Sequence, residues 1–468
     1  MYSDWDEITD VVVIGSGFAG LAAAIEVTNA GASVIILEKM NAPGGNSIIS
    51  DGGIAAGGTE MQKKSGIIDS PELMYRDMLK AGLSINYPEL VRQVTEKSSE
   101  VLQWSIDYLG VEYMDRLDIF GGHSVPRCLT PVGVSGSAII KKQLNKLDEM
   151  GIKVRTRAYF KSFIRDSEGE ITGVLVRDDY SHKHTANGID KRIGIQKGIV
   201  LATGGFGSDI NFRLTQDPRL TQDIDTTNKP FATAEALKEA LNINAMPVQL
   251  SHIQLGPWGT PDEKGYGVGA RFSDYIVFPY GIVVEPDSGR RIVNELADRK
   301  TISDAILNIG HPCVGIADAR AVETTGWNIR PCLEKGIVKQ FDQLQELASC
   351  YGISPGEFKL TVEQYNGYIE DKLDKEFGKQ ILPDASPIST PPYYGIRTWP
   401  KVHHTMGGVQ INTEAQVIDI NQKPIRRLYA AGEVTGGIHG ACRLGSCAIT
   451  ECLVFGRIAG LNAATETT

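Results

Sequence analysis

A short segment near the N-terminus constrains the fold more than any other part of the chain. Residues 11–20 read VVVIGSGFAG, an apolar β-branched run that leads into Gly15, Gly17 and Gly20. Glycines at this spacing allow a tight turn, a close approach of backbone to a pyrophosphate and close packing of the helix that follows. The free amides and positive end of that helix favour phosphate groups. The segment therefore predicts a strand, a turn and a helix that together bind a dinucleotide.

The residues that follow extend this unit. Residues 19–28, which begin at Ala19, are helix-prone, and residues 32–37 form a second apolar run. Glu38 follows about twenty positions after the glycines, where an acidic side chain accepts hydrogen bonds from a ribose hydroxyl. Lys39 lies beside it and is predicted to contact the same ligand. A glycine turn alone is a weak motif, but its place between two strands favours a dinucleotide site over a chance turn.

Composition limits the class of protein. The chain has 468 residues, of which 42% are hydrophobic and 22% charged, as in globular proteins of two or three domains. Its net charge of -10 argues against binding to nucleic acid or to an anionic membrane surface. No apolar run reaches the roughly eighteen residues of a spanning helix, so membrane insertion is not predicted. The acidic N-terminus predicts a cytoplasmic protein, or a periplasmic one if a leader has been removed.

The remaining sequence predicts how the domains are arranged. Apolar runs indicate strands at 153–155, 173–177 and 198–201, and a helix at 138–150. The last of these strands ends at Thr203 and Gly204, where open α/β sheets bind ligands. Residues 244–394 contain more aromatics, prolines and helical stretches, including 338–348 and 361–376. We predict an α/β protein with a Rossmann-like binding domain, formed by residues 1–243 and 395–468, and an inserted α+β capping domain, formed by residues 244–394.

Further segments indicate which dinucleotide is bound. Small residues at 43–47 let backbone approach a flat ring, unless they form only a surface turn. A second glycine cluster at 432–433 lies far along the chain, as expected when one long cofactor crosses two distant segments, and this favours FAD over NAD. The amides at 446–449 open the last helix and would stabilise negative charge on a reduced flavin ring. The predicted FAD contacts in these segments are Gly45, Asn46, Ser47, Gly432, Glu433, Ser446, Ala448 and Ile449.

Two side chains flank the C-terminal glycine cluster and can bind an anion. His404 precedes it in the sequence HHTMGG, and Arg443 follows it in ACRLGS. A guanidinium offers two parallel donors to a carboxylate, and an imidazole can add a third. His404 alone is more often a core histidine bonded to backbone, and Arg443 alone can form a salt bridge beside a helix. Together they predict a carboxylate clamp.

These motifs resemble those of the FAD-dependent fumarate reductase and succinate dehydrogenase flavoprotein family, most closely the flavin domain of its soluble flavocytochrome c branch. The likeness covers nearly the whole chain. It rests on GSGFAG at 15–20, GGNS at 44–47, ATGGF at 202–206, the charged block that ends at Arg299, HHTMGG at 403–408, and AAGEVTGGIHGACRLGS at 430–446. The block before Arg299, considered alone, would be interpreted as a solvated helix face.

The resemblance implies an activity and roles for particular residues. It implies that a C=C bond lies over flavin N5, that His404 and Arg443 grip one substrate carboxylate, and that Arg299 donates a proton. Hydride addition at the β-carbon and protonation at the α-carbon would then reduce an α,β-unsaturated acid. Arginine is a poor acid, so its proton must be replaced through a neighbouring relay. In our register the acidic relay residue is Asp274, after Ser273, and the relay arginine is replaced by Val277; Arg271 is an alternative.

One departure from the family pattern concerns the substrate. The family's Gln-x-His-Pro motif is present as Gln254-Leu255-Gly256-Pro257, so the histidine expected to hold fumarate's second carboxylate is Gly256. Loss of the imidazole predicts more space and one charge partner fewer, which favours a bulkier enoate such as an aryl acrylate over fumarate. His252 lies nearby and is a possible substitute, or a structural residue.

A second departure concerns the cofactor. Family members of respiratory complexes tether FAD to a histidine just before the Gly52–Gly53 pair, whereas Asn46 occupies that place here and Gly53 is predicted to lie at the flavin. FAD is therefore predicted to be noncovalent. No CxxCH haem motif is present, so electrons are expected from a separate donor protein, a reduced flavin or a quinol carrier. Two alternatives are a ketosteroid dehydrogenase-type enzyme and an electron-transfer flavin subunit without its own substrate.

Overall fold

The architecture is that of a computed structural model, which describes residues 5–467. Strands β1 to β20 are, in order, Glu7–Ile14, Val34–Leu37, Ile54–Ala55, Cys128–Leu129, Val154–Arg155, Tyr159–Arg165, Ile171–Asp178, Ile189–Leu201, Pro247–Val248, Ile253–Gly256, Ile282–Glu285, Arg290–Arg291, Cys313–Asp318, Lys339–Phe341, Tyr393–Thr398, Lys401–Thr405, Gly408–Gln410, Gln416–Ile418, Pro424–Ala430 and Thr435–Gly436. Helices α1 to α16 are Phe18–Asn29, Glu60–Lys64, Pro71–Ala81, Pro88–Glu96, Ser98–Asp107, Ser137–Glu149, Ile210–Gln216, Glu235–Asn242, Gly269–Phe272, Phe278–Tyr280, Arg299–Ile309, Ala319–Thr325, Arg330–Glu334, Leu344–Tyr351, Pro355–Asp371 and Cys447–Thr465. A 3₁₀ turn at Gly45–Ile49 and a π turn at Ser273–Val277 complete them.

A parallel sheet forms the centre of the larger domain. Its strands run in the order β19, β8, β1, β2, β5, and all of these pairs are parallel. Strand β18 adds an antiparallel edge beside β19, and the β6–β7 hairpin pairs with the first half of β8. Val11, Val12 and Val13 of β1 are fully buried, as expected for a central strand of a parallel sheet whose two faces are covered. This is the predicted Rossmann-like α/β fold.

The first and last helices join the two ends of the chain. A Cβ added at Gly456 of α16 would lie 2.5 Å from the carbonyl oxygen of Ala19, and one at Gly460 would lie 2.2 Å from that of Ala23. Only glycine permits α16 to approach α1 so closely. By length and composition, helix α16 could cross a membrane, but 67% of its 18-residue apolar stretch is buried within the fold. Its burial against α1 is typical of a core helix.

The inserted segment has its own sheet and core. Five antiparallel strands run in the order β12, β11, β13, β15, β14, and their apolar residues pack with α14 and α15. The chain before this sheet is tied to the C-terminal segment instead, since β9 pairs with β17 and β10 pairs with β16. The α+β cap is thus present, while the boundaries at 243/244 and 394/395 stay a prediction.

Within this segment one predicted helix was partly wrong, and another is confirmed with different bounds. The helix predicted at 338–348 is strand β14, paired with β15, followed by α14, which begins at a capping box formed by Gln343 and Glu346. The helix predicted at 361–376 is α15, which begins earlier at Pro355 and ends at Asp371. Pairing with a distant strand decided the first case, and proline at the first helical position decided the second.

Candidate active site

A cleft lies at the carboxyl ends of the parallel strands, where the glycine turns meet. We call it the nucleotide cleft; its volume is about 990 Å³. Twelve of the predicted contacts line it: Gly15, Gly17, Ala19, Glu38, Lys39, Gly45, Asn46, Ser47, Thr203, Gly204, Gly432 and Glu433. Gly20 lies behind the turn, where an added Cβ would be 2.0 Å from the Gly15 carbonyl oxygen. The sheet therefore gathers segments that are more than 400 positions apart at one edge.

The cleft offers backbone rather than side chains to a ligand. Gly45 and Gly204 adopt positive φ angles of 51° and 75°, and the space beside each is open. Within residues 5–467 no side chain caps the N-terminus of α1, and the amide of Phe18 donates only to Ser47 Oγ, at 3.2 Å. Free amides at a helix start and backbone without Cβ atoms suit a pyrophosphate. The residues present therefore fit a dinucleotide such as FAD.

Acidic and basic groups fix the far wall of the nucleotide cleft. Glu38 accepts hydrogen bonds from Ser16 Oγ at 2.5 Å and from the Met40 amide at 2.9 Å, which hold its carboxylate at the end of β2. The Lys39 ammonium donates to Thr233 Oγ1 at 2.9 Å and pairs with Glu235 at 3.3 Å. These contacts hold Glu38 and Lys39 in the wall of the nucleotide cleft.

A second cavity continues from this cleft toward the cap. We call it the inner cavity; its volume is about 830 Å³, and it shares the wall residues Phe18, Asn46, Ser47, Glu433 and Cys452 with the nucleotide cleft. The remaining predicted residues found in its wall are Gly53, Arg299, His404, Arg443, Ser446, Ala448 and Ile449. The predicted clamp and the predicted proton donor therefore meet beside the flavin-binding segments.

Strand pairing and the side chain of Gln254 hold the two members of the predicted clamp. His404 lies on β16 opposite Gln254 of β10. The Gln254 side-chain amide donates to the carbonyl oxygen of Arg443 at 2.7 Å and is buried. Gln254 thus connects the loop that carries Arg443 to the ladder that carries His404, a role that the sequence analysis did not assign.

The inner cavity contains buried cationic donors without acceptors. Arg443 is 5% exposed and Arg299 is 8% exposed. The Nε of Arg443 and the Nη1 of Arg299 have no hydrogen-bond partner among the described residues. Burial, and then the neighbouring Arg299, lower the pKa of Arg443 to about 10, so it stays charged at neutral pH. Unpaired buried donors of this kind are costly unless an anion accepts from them.

Burial favours the neutral form of His404, the histidine of the predicted clamp. Burial is the main cause of a pKa for His404 that lies well below its usual value, and Arg443 lowers it further. Its Nδ1 lies 3.5 Å from Glu433 Oε1, and burial raises the pKa of that carboxyl to about 7. The same Glu433 oxygen accepts from the Thr405 amide at 2.9 Å. A neutral imidazole can donate one hydrogen bond to a carboxylate beside the charged arginines.

Comparison with known proteins agrees with this geometry. The FAD binding domain family matches residues 10–449. The acrylate reductase flavoprotein subunit of Shewanella woodyi is 42% identical over 462 residues, which cover 97% of this chain and 91% of that protein. The urocanate reductase of Eggerthella lenta is 35% identical over 468 residues, covering 97% and 74%. The open conformation of a flavocytochrome c3 fumarate reductase matches with a TM-score of 0.77 and 34% identity, covering 98% of this chain and 79% of that one. The chain belongs to the fumarate reductase flavoprotein family.

Of the candidate proton-relay residues in this flavoprotein, Asp274 contacts Arg299. Arg299 opens α11, and its Nη2 donates to Asp274 Oδ2 at 3.3 Å. Asp274 lies in the π turn, and burial raises its pKa to about 6. Ser273 Oγ and Val277 are buried in the same turn, whereas Arg271 donates to the Val134 carbonyl oxygen and lines other cavities. Asp274 is thus placed beside Arg299, and Arg271 is not.

The open space that was expected beside Gly256 is not present in this flavoprotein. An added Cβ at Gly256 would lie 2.7 Å from Cζ2 of Trp258, whose indole is 1% exposed and lines the inner cavity. The space left by the missing histidine side chain is therefore filled and not open. His252 does not compensate, because it lines a different cavity and is not in the wall of the inner cavity.

Several residues of the inner cavity were missed by the sequence analysis. They are Asp51, Thr227, Asn228, Trp258, Tyr266 and His403. Only His403 could have been suspected from the sequence, because it is adjacent to His404. The others come from loops whose residues carry no motif and meet only in the tertiary structure.

Proposed function

We propose that this flavoprotein reduces the C=C bond of an α,β-unsaturated carboxylic acid with noncovalently bound FAD. One observation carries the proposal: buried arginine donors without acceptors line a cavity that is continuous with the nucleotide cleft. The acrylate and urocanate reductases among its relatives support the same reaction class. FAD, when bound and reduced by a separate donor protein, flavin or quinol carrier, supplies two electrons as a hydride.

The chain's own residues bind and polarise the substrate. Arg443 Nε and the neutral His404 imidazole would donate to one substrate carboxylate. Such donors withdraw electron density from the conjugated double bond, which makes the β-carbon electrophilic. Because the cavity is buried, these interactions are stronger than they would be in water.

We assign Arg299 as the residue that donates a proton to the α-carbon of the substrate. Its Nη1 has no partner in residues 5–467, while Nη2 contacts Asp274. Hydride at the β-carbon and a proton at the α-carbon convert the C=C bond to a saturated CH–CH bond, so electrons and atoms balance. Asp274, whose pKa is about 6, can then return a proton to Arg299 near neutral pH.

Noncovalent attachment is proposed from Asn46. Its side chain donates to Asn228 Oδ1 at 2.6 Å and accepts from the Lys229 amide at 2.8 Å, so it bridges two segments and is no nucleophile. We expect acid precipitation of the purified protein to release all flavin into the supernatant. Flavin retained in the pellet would contradict the assignment.

The reaction is tested by reducing the purified yellow protein with dithionite, removing the excess, and adding single acids under anaerobic conditions. Return of the flavin absorbance with acrylate or another enoate, and formation of the saturated acid, would support the proposal. Reoxidation by a 3-ketosteroid instead would favour a steroid dehydrogenase, and reoxidation only by a carrier protein would favour an electron-transfer subunit.

A further inference from the structure

The inner cavity has an aromatic wall built around Trp258. The indole packs edge-on against the His403 ring, with centroids 4.7 Å apart, and at a tilt against Tyr266, with centroids 5.3 Å apart. All three side chains line the cavity. Close packing from both sides fixes the indole in place, so the wall is rigid.

This wall offers no positive charge to a ligand. Burial is the main cause that lowers the pKa of His403 well below its usual value, and its Nδ1 is already bonded to Thr227 Oγ1 at 2.8 Å. Asp51 also lines the cavity, where its carboxylate accepts from the Gly53 amide and the Tyr275 hydroxyl. A second carboxylate placed here would lose its hydration, face an acidic neighbour and find no cation beyond the arginines that hold the first.

The wall is also close to the arginines. The guanidinium carbon of Arg299 lies 5.7 Å from the centre of the Trp258 ring. The indole therefore limits the space beside the group that we assign as proton donor. A ring on the double bond of a substrate would compete for this space with the Trp258 indole, which packs against His403 and Tyr266.

We propose that Trp258 determines specificity, and that it restricts the site to short monocarboxylic enoates without a second carboxylate or a ring. This inference rests on the proposed function, because it assumes that an enoate occupies the inner cavity. It reverses the expectation that loss of a side chain at Gly256 admits larger acids.

The test compares acrylate, fumarate and cinnamate as acceptors for the FAD-loaded enzyme, with reduced methyl viologen as electron donor. For the wild type we expect kcat/KM to be at least about 100-fold lower with fumarate and with cinnamate than with acrylate. The second carboxylate of fumarate would have no cationic partner, and the ring of cinnamate would meet Trp258. Trp258→Ala should raise kcat/KM for cinnamate and lower it for acrylate. Trp258→Phe should shift the preference less. Trp104→Ala, which removes a partly buried indole outside the inner cavity, should leave the preference unchanged.

A double variant tests the filled space directly. Gly256→His alone should destabilise the enzyme, because its Cβ meets Trp258. Combined with Trp258→Ala, the same histidine has room and should increase the affinity for succinate relative to propionate, measured as protection against thermal unfolding. This binding readout does not depend on turnover.

The outcomes separate the two proposals. If no acid accepts electrons, the proposed function fails. If an enoate is reduced but the wild type uses fumarate or cinnamate as well as acrylate, or if the Trp258 variants keep the wild-type preference, the specificity role is overturned while the proposed function stands.

Discussion

Arg443 illustrates what one buried residue contributes, since it lines the inner cavity and its Nε has no hydrogen-bond acceptor among residues 5–467. Arg443→Ala should raise KM by about 100-fold or more, because truncating one partner of a buried charge-assisted contact leaves the other unpaired. Steady-state kinetics with an enoate that the enzyme reduces would measure this change in KM. Arg426→Ala, which removes an exposed ion pair with Glu170, is the control and should change KM little. An unchanged KM for the Arg443 variant would remove this residue from the clamp.

Arg299 is expected to act at a different step. Arg299→Lys keeps a positive charge but loses the planar fork that reaches both Asp274 and the cavity. We expect kcat to fall by about 100-fold or more while substrate binding changes only a few-fold. Wild-type turnover by the lysine variant would rule out the assignment as proton donor.

Asp274 predicts a pH dependence of turnover. Burial raises its pKa to about 6, so its protonated fraction falls as the pH rises through that value. If Asp274 returns the proton to Arg299, kcat should fall over the same range, between about pH 5 and pH 8. The Asp274→Asn variant should have a low kcat that does not fall with pH over this range. A profile that is identical in the wild type and the variant would exclude Asp274 from the relay.

At the scale of elements, the crossing of α1 and α16 tests how the two ends of the chain are joined. Gly460→Ala places a Cβ 2.2 Å from the Ala23 carbonyl oxygen, and backbone cannot move away as a side chain can. We expect a loss of unfolding free energy of about 1 to 3 kcal/mol, seen as a lower denaturant midpoint.

The matched control is another glycine within a helix. Gly367 lies in α15, and the space beside it is open. Gly367→Ala should stabilise the protein by about 0.5 to 1 kcal/mol, because alanine loses less backbone entropy in a helix. Equal effects of the two substitutions would mean that close helix packing is not what requires glycine at 460.

For the whole molecule, the distribution of charge matters more than its sum. The net charge is -10, yet a surface groove of about 1530 Å³ shares part of its wall with the inner cavity and has more cations than anions. Its charged lining residues are Arg213, Lys229, Lys264, Arg271 and one acid, Asp225. Cations at the mouth of a cleft raise the local concentration of an anionic substrate, and salt screens this effect.

We therefore expect kcat/KM for an anionic acid to fall as ionic strength rises, with kcat unaffected. The double variant Lys229→Gln, Lys264→Gln should lower kcat/KM about 3-fold at low salt and flatten its salt dependence. Lys359→Gln, an exposed residue of α15 outside the groove, is the control. A salt dependence that persists unchanged in the double variant would mean that the groove does not guide substrate.

The binding fold and many residues that line the two cavities could be predicted from the amino-acid sequence. Glycine spacing, Glu38 and the apolar runs are local features, and local features specify a βαβ unit because they fix turn geometry and burial together. The family motifs likewise indicated His404, Arg443 and Arg299, which the structure places around one cavity.

The residues that fill the space between those motifs depend on tertiary packing and could not be predicted from the sequence. Trp258 occupies the volume beside Gly256, Gln254 holds the Arg443 loop, and β14 forms where a helix was expected. The Gln254 and β14 contacts join segments that are distant in the chain, and the Trp258 indole packs against the distant His403 ring. Local periodicity carries no information about such contacts, because packing and strand pairing are set by whichever neighbour the fold supplies.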